Sequence, residues 1–188
     1  MTSATAPKTL HIARKLVTLL GKIQISDDGD TVLYEAKGKW GWLRKPWSIT
    51  QGEQEVAVLA RKLWSFAPIW EVEGREASYP SYLLRGKLWS WRRQVTVVGG
   101  PFDGAVLKGS LFDMNFELTY QGQVLARAQS ELLTIRTRHS IVLLDTSPAV
   151  ERLAAILMFH LLVEKGEERK LAAADPTPSS SYHGGQMT

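Results

Sequence analysis

The chain has 188 residues, a formal net charge of +4 and no cysteine. This length fits one domain, and the lack of cysteine excludes disulfides and thiolate metal sites. It is also compatible with a reducing cytoplasm, and the mild positive charge favours anionic partners without identifying one.

Residues 1–9 are small and polar, and we predict that they form a disordered end before the folded domain. They lack the continuous apolar core of a secretion signal. No acidic residue precedes Asp27, whereas basic residues do, so an organellar presequence remains open as an alternative. The apolar stretch 12–20 that follows fits either a first strand or a helix.

From residue 23 onward the sequence predicts short strands joined by turns. The Asp28-Gly29 pair marks a tight hairpin turn, and Gly52 lies in the turn of a second hairpin. Phe116 and Leu118 alternate with polar residues, which is typical of a strand with one buried face. The predicted strands are 23–25, 31–34, 47–49, 56–59, 69–72, 82–88, 94–98, 105–107, 114–118, 124–126, 132–135 and 141–144.

A helix is predicted over Pro148–Glu164. Ser147 is a suitable N-cap, Pro148 suits the first helical position, and Gly166 suits the exit. The charged residues that follow, from residue 167, are predicted to start a disordered tail that runs to residue 188.

The centre of this helix, residues 153–163, has no polar face, and only His160 interrupts the apolar surface. Such a helix must be surrounded by protein or by lipid. The apolar run is shorter than the roughly 20 residues of a bilayer span, so we predict no transmembrane segment. If the helix is enclosed by protein, His160 is expected to be buried with a depressed pKa.

A faint internal repeat suggests how the strands enclose the helix. Residues 47–61 and 116–127 both consist of a strand, a glycine turn and a strand that ends in Ala-Arg. Two such half-sheets could close around one apolar helix, and closure removes the sheet edges that favour aggregation.

Three segments, in this order, resemble the LURP-one-related family, which is grouped with tubby C-terminal domains and phospholipid scramblases. They are Gly21–Gly29 (GKIQISDDG), Gly52–Ala57 (GEQEVA) and Leu153–Leu162. The resemblance covers about residues 10–166. It implies a mainly β fold with one central helix: a closed antiparallel tubby-like β-barrel threaded by a C-terminal hydrophobic helix.

The resemblance implies little about site residues. Tubby domains bind phosphoinositide head groups through basic side chains, but the positions of those side chains cannot be matched here. Scramblases are associated with calcium near the last helix, whereas Asp145 and Glu151 do not have the spacing of a calcium loop. Many family members carry an acidic residue late in the helix, at the position of His160. Any role of that acidic residue in the family therefore cannot be assigned to His160.

The segment around residues 87–93 alternates basic and indole side chains. Such a pattern suits a membrane interface, where indoles lie at head-group level and guanidinium groups contact phosphate. Ordinary packing, with the indoles inside the barrel and the basic groups in water, is the interpretation that we favour for this segment. The candidate anionic-ligand-binding residues are Lys87, Trp89, Trp91, Arg92 and Arg93.

Other aromatic and basic groups have simpler interpretations. Trp40 and Trp42 are predicted to be core or barrel-rim residues, with a ligand mouth as the less favoured alternative. Residues 136–139 are predicted to form a solvated basic turn. The acids at 27, 28 and 30 are explained by turn chemistry, since the further ligands of a calcium loop are missing.

No catalytic motif is found, so we predict a protein without enzymatic activity, cofactor or metal. The predicted function is a non-catalytic binding or tethering domain for anionic phospholipid head groups, of the phosphoinositide type. The alternatives are a scramblase-like lipid-moving protein and a small-molecule-binding barrel. Expected partners are anionic membrane lipids or a protein, rather than nucleic acid, and the expected location is cytoplasmic, with peripheral attachment to a membrane as an option.

Overall fold

A computed structural model describes residues 7–15, 21–41, 45–65, 68–87, 93–110, 115–133 and 136–174. Within these ranges the chain forms twelve β-strands followed by one α-helix. The elements are β1 (Lys8–Lys15), β2 (Lys22–Ser26), β3 (Val32–Gly38), β4 (Trp47–Gln51), β5 (Gln54–Arg61), β6 (Ile69–Gly74), β7 (Tyr82–Gly86), β8 (Arg93–Val98), β9 (Val106–Ser110), β10 (Asn115–Tyr120), β11 (Gln123–Leu133), β12 (Arg136–Leu143) and α1 (Pro148–Ala174).

The strands form a closed antiparallel barrel, as predicted. Each strand pairs with its neighbours in the chain, and β1 pairs with β12, with Lys8 opposite Leu143 and Ile12 opposite His139. Residues 12–15 of the first apolar stretch are therefore strand rather than helix, and residues 16–20 lie outside the described residues. Its backbone groups are bonded to β2 on one side and to β12 on the other, and this pairing closes the barrel.

The predicted hairpins owe their register to local turn chemistry. Asp27 Oδ1 accepts hydrogen bonds from the backbone N–H groups of Gly29 and Thr31, each at 2.9 Å, and so shapes the turn between β2 and β3. Gln121 and Gly122 both have positive φ angles, which suit the tight turn between β10 and β11. Alternate strand residues then face the interior, as the burial pattern of β2 shows.

The helix α1 fills the barrel. All residues from 153 to 163 are buried, whichever side of the helix they occupy. The helix touches different walls of the barrel: Glu151 is bonded to β1 and β3, and His160 contacts Trp70 on β6. A cavity of about 10 Å³ lies between α1 and strands β9 to β12. This arrangement confirms the helix as the central plug.

Several element boundaries differ from those predicted. Lys8 and Thr9, predicted to lie in the disordered end, belong to β1, and the predicted strand 124–126 and the described part of the predicted strand 132–135 both belong to β11. The helix does not end near Gly166 but continues through Ala174, because residues 167–174 are strong helix formers and one glycine is tolerated. Residues 167–174 therefore belong to the helix and not to the predicted tail, and residues 175–188 lie outside the described residues. The expected basic turn at 136–139 is the first half of β12, which pairs with both β11 and β1.

In an antiparallel meander the connections alternate between the two ends of the barrel. Each end therefore carries its own set of connecting residues. The helix runs from the first end to the second. We call the first the hairpin end; its connections are 27–31, 52–53, 75–81, 99–105, 121–122 and 144–147. We call the second the tryptophan end; its described connecting residues are 21, 39–41, 45–46, 62–65, 68 and 87.

Candidate functional site

Of the predicted anion-binding residues, the structure describes Lys87 and Arg93, and both lie at the tryptophan end. Lys87 directly follows β7, and its backbone N–H donates to the Gln94 carbonyl at 3.0 Å. Its side chain is exposed. Arg93 begins the neighbouring strand β8. Trp89, Trp91 and Arg92 lie outside the described residues.

Arg93 makes a structural contact that sequence reasoning did not foresee. Its Nη1 donates to Glu164 Oε1 on the helix at 3.2 Å, and the side chains are 30% and 14% exposed. Burial raises the pKa of Glu164, while Arg93 and Arg61 oppose that rise. Arg93 therefore ties the helix to the barrel wall, and Lys87 is the better probe of an external ligand.

Two indole rings are presented to solvent at this same end. Trp40, between β3 and β4, is 88% exposed, and Trp64, between β5 and β6, is 93% exposed. The prediction that Trp40 lies at the barrel rim is confirmed, and the core alternative is wrong; Trp42 lies outside the described residues. Large aromatic side chains this exposed are unusual and mark interaction surfaces.

Trp64 was not recognised from the sequence, although a signal existed. It occurs with Leu63, itself 44% exposed, in a connection between two strands, where polar turn residues are the rule. The inward-facing residues of β5 and β6 already fill this part of the core, so the side chains of Leu63 and Trp64 remain exposed. The segment is therefore a candidate surface in its own right.

Charge is also divided between the two ends. The described connections of the tryptophan end carry basic residues and no acid; these residues are Lys39, Lys45, Lys62 and Lys87. The connections of the hairpin end carry one basic residue, Arg75, against the acids Asp27, Asp28, Asp30, Glu53, Glu76, Asp103 and Asp145. The described connections are thus basic at one end of the barrel and mainly acidic at the other.

The lysines of the tryptophan end differ in their availability. Lys39 pairs with Glu55, and Lys62 Nζ lies 3.6 Å from Glu71 Oε1. Lys45 and Lys87 are exposed and pair with no carboxylate in the described part of the chain. These two ammonium groups are therefore available to an external anion.

The remaining sequence candidates do not form a ligand site. The Asp27–Asp30 turn is explained by its own hydrogen bonds, and His11 Nε2 lies 2.9 Å from Asp28 Oδ1. Among the described residues there is no group of three or more acidic or imidazole side chains arranged to hold a metal ion. Nor does the described chain contain a helix with enough length and apolarity to span a membrane.

We compared the chain with family models, with curated proteins and with solved structures, and none of the three comparisons gave a match. The function is therefore argued from the geometry and chemistry of the surfaces described above.

Proposed function

We propose that this chain is a non-catalytic binding domain that attaches to anionic phospholipid surfaces through the tryptophan end of its barrel. The observation that carries the proposal is the exposure of Trp40 and Trp64 at the end that also presents Lys45 and Lys87. The resemblance to the LURP-one-related and tubby-like families supports the same conclusion.

The chemistry of this end matches that of a membrane interface. Indole rings favour the head-group region, where their apolar body is partly desolvated and the N–H remains solvated. Each lysine near an anionic bilayer contributes about 1 kcal/mol of attraction. The acidic hairpin end is repelled by the same surface, so the charge division orients the barrel axis towards the bilayer.

The basic-indole segment extends this surface in the sequence. Trp89, Trp91 and Arg92 belong to the segment that joins β7 to β8, and the ends of these two strands meet at the tryptophan end. Together with Lys87 they would add indole and guanidinium groups to the same interface. The head group favoured by such a set is a phosphate-rich one, such as a phosphoinositide.

We favour binding over a lipid-moving function because of the position of the helix. A scramblase-like mechanism requires α1 to leave the barrel, which would expose the apolar side chains from 153 to 163. Those side chains are packed on all sides, and exposing them is costly.

Co-sedimentation with vesicles tests the proposal. Vesicles of phosphatidylcholine alone are compared with vesicles that also contain phosphatidylserine or a phosphoinositide. We expect salt-sensitive binding to the anionic vesicles, and roughly tenfold or greater weakening in the double variant Lys45→Gln/Lys87→Gln. The double variant Trp40→Ser/Trp64→Ser is expected to lose binding to both anionic compositions.

Matched controls come from the opposite end. Leu144→Ser removes an exposed apolar side chain at the hairpin end, and Arg75→Gln removes a positive charge there. Neither change should affect sedimentation. Equal binding to neutral vesicles, or equal loss in the controls and the test variants, would refute attachment through the tryptophan end.

A further inference from the structure

A pocket of about 360 Å³ opens at the hairpin end, away from the proposed membrane surface. It lies between the β6–β7 connection, the β8–β9 connection and the first turns of α1. Its volume is in the range of small-molecule sites, roughly 300–1,000 Å³. Val97, Leu153 and Ile156 contribute apolar walls, and Tyr82 and Arg152 contribute polar groups.

The hydroxyl of Tyr82 is an unusual feature of this pocket. Tyr82 begins β7 and shares the inward face of the strand with Leu84, which is fully buried. The hydroxyl oxygen is buried, and within the described part of the chain it has no hydrogen-bond partner. A buried hydroxyl without a partner costs about 1–3 kcal/mol, so an acceptor brought to it by a ligand would be stabilising. The Tyr82 side chain lines the pocket, and a ligand oxygen reaches the enclosed hydroxyl by a small shift of the ring.

The protonation state of Tyr82 determines whether its hydroxyl can donate a hydrogen bond to a ligand. Burial raises the pKa of Tyr82 above its ordinary value, and the nearby Tyr79 adds to the rise. The hydroxyl therefore keeps its proton and is available as a donor.

Arg152 is the second donor, and its position is fixed by the pocket wall. Its guanidinium carbon lies 5.0 Å from the centre of the Tyr79 ring, and its Nη1 donates to the Ser78 carbonyl at 3.3 Å. No carboxylate pairs with it among the described residues. The adjacent Glu151 is occupied by Lys8 and Tyr34.

We infer that this pocket binds a small amphipathic carboxylic acid. The carboxylate contacts the guanidinium of Arg152, the hydroxyl of Tyr82 donates to a ligand oxygen, and the apolar body of the ligand lies against Val97, Leu153 and Ile156. The Arg152 guanidinium and the Tyr82 hydroxyl are both donors, so a ligand that meets them must supply acceptors, and a carboxylate is the strongest acceptor for a guanidinium.

The surrounding charges sharpen this preference. Glu76 and Asp103 belong to the two connections that border the pocket, and they disfavour an anion that has no direct cationic partner. The exposed charge of Asp103 is screened within about 10 Å at ordinary salt, whereas direct contact with Arg152 is not. Glu76 is only partly exposed and its Oε1 is buried, so its repulsion of an anion is less screened. Preference for the acid over its neutral analogue therefore depends on Arg152.

Calorimetric titration of the full chain with octanoate, octanol and octylamine tests the inference, in the absence of vesicles. We expect octanoate to bind at least about tenfold more tightly than octanol, and octylamine not to bind. Arg152→Gln should reduce octanoate affinity to the level of octanol. Arg127→Gln, which removes the same charge from an exposed pair with Glu117, should change nothing.

Tyr82→Phe distinguishes a hydroxyl that binds ligand from one that only stabilises the fold, because octanoate affinity and melting temperature are measured on the same variant. It should weaken octanoate binding several-fold without lowering the melting temperature of the free protein, because the lost hydroxyl has no partner. Tyr34→Phe, which removes the 2.9 Å hydrogen bond to Glu151, should lower the melting temperature.

Three results would overturn the inference. They are equal affinities for octanoate and octanol in the unmodified chain, unchanged octanoate binding in Arg152→Gln, and no binding of any of the three probes. Vesicle binding is measured separately at the opposite end, so failure of either proposal leaves the other standing.

Discussion

Trp70 and His160 pack edge to face inside the barrel, with ring centroids 5.2 Å apart and ring planes at 84°. Trp70 belongs to β6 and His160 to α1, and each is nearly inaccessible to solvent. Burial, assisted by Arg93, lowers the pKa of His160 to about 3. The depressed pKa predicted for a buried His160 thus follows from its enclosure, and the imidazole is neutral in the folded protein at neutral pH.

The first prediction concerns stability against acid. In the unfolded chain His160 titrates near 6.5, so between that pH and about 3 the unfolded state binds a proton that the folded state does not. The stability that the protein has with neutral His160 is fully present above pH 6.5 and is lost as the pH falls towards 3. The free energy of unfolding should fall by up to about 1.4 kcal/mol for each pH unit in this window.

Chemical denaturation of the unmodified chain and of His160→Leu, at several pH values from 7.5 downward, checks this slope. The variant keeps an apolar group of similar size, so its free energy of unfolding should depend less steeply on pH. Parallel pH profiles for the two proteins, or an NMR titration of His160 near 6.5 in the folded state, would contradict the prediction.

The second prediction concerns the ion pair between Arg93 and Glu164. Both side chains are largely buried where the helix leaves the barrel, so removing one charge leaves the other poorly compensated. Arg93→Gln should lower the free energy of unfolding by roughly 1–3 kcal/mol. A double-mutant cycle with Glu164→Gln, measured by denaturant unfolding, should show a coupling energy of about 1 kcal/mol. Strictly additive effects would mean that the pair contributes nothing.

The third prediction concerns Glu151 in the first turn of α1. Its two carboxylate oxygens accept from Lys8 Nζ at 2.8 Å and from the Tyr34 hydroxyl at 2.9 Å, which fastens the helix start to β1 and β3. Glu151→Ala should cost roughly 1–3 kcal/mol. Glu117→Ala breaks an exposed pair with Arg127 and should cost under about 1 kcal/mol. Similar losses of melting temperature in both variants would disprove this difference.

The fourth prediction concerns the close backbone approach at Gly74. A Cβ atom at this position would lie 1.5 Å from the Tyr79 carbonyl oxygen, which is backbone and cannot move aside easily. Gly74→Ala should therefore cost more than about 3 kcal/mol or displace the β6–β7 connection. Gly52→Ala meets no atom within 4 Å but requires a φ of +61°, so it should cost only about 1–2 kcal/mol. Thermal unfolding of the two variants, side by side, distinguishes steric from conformational cost.

Local pattern was sufficient for most of the strands. The turn at Asp28-Gly29 and the alternation in β10 each depend on neighbours a few residues away, and both predictions are confirmed. The first strand was ambiguous, because its apolar run supports either a strand or a helix, and only pairing with β12 decides between them. The helix end was missed because one glycine signal outweighed the helix propensity of the residues that follow it.

The sequence by itself determined that a helix apolar on every side must be enclosed, because no face of it tolerates water. It also determined that short alternating strands would enclose it. Only the tertiary structure decided which side chains meet, since Lys8 and Glu151 are separated by 143 residues and are joined by closure of the barrel. The division of charge between the two ends and the isolated hydroxyl of Tyr82 arise in the same way: which connections share an end, and which hydroxyl lacks a partner, depend on spatial arrangement and not on local pattern.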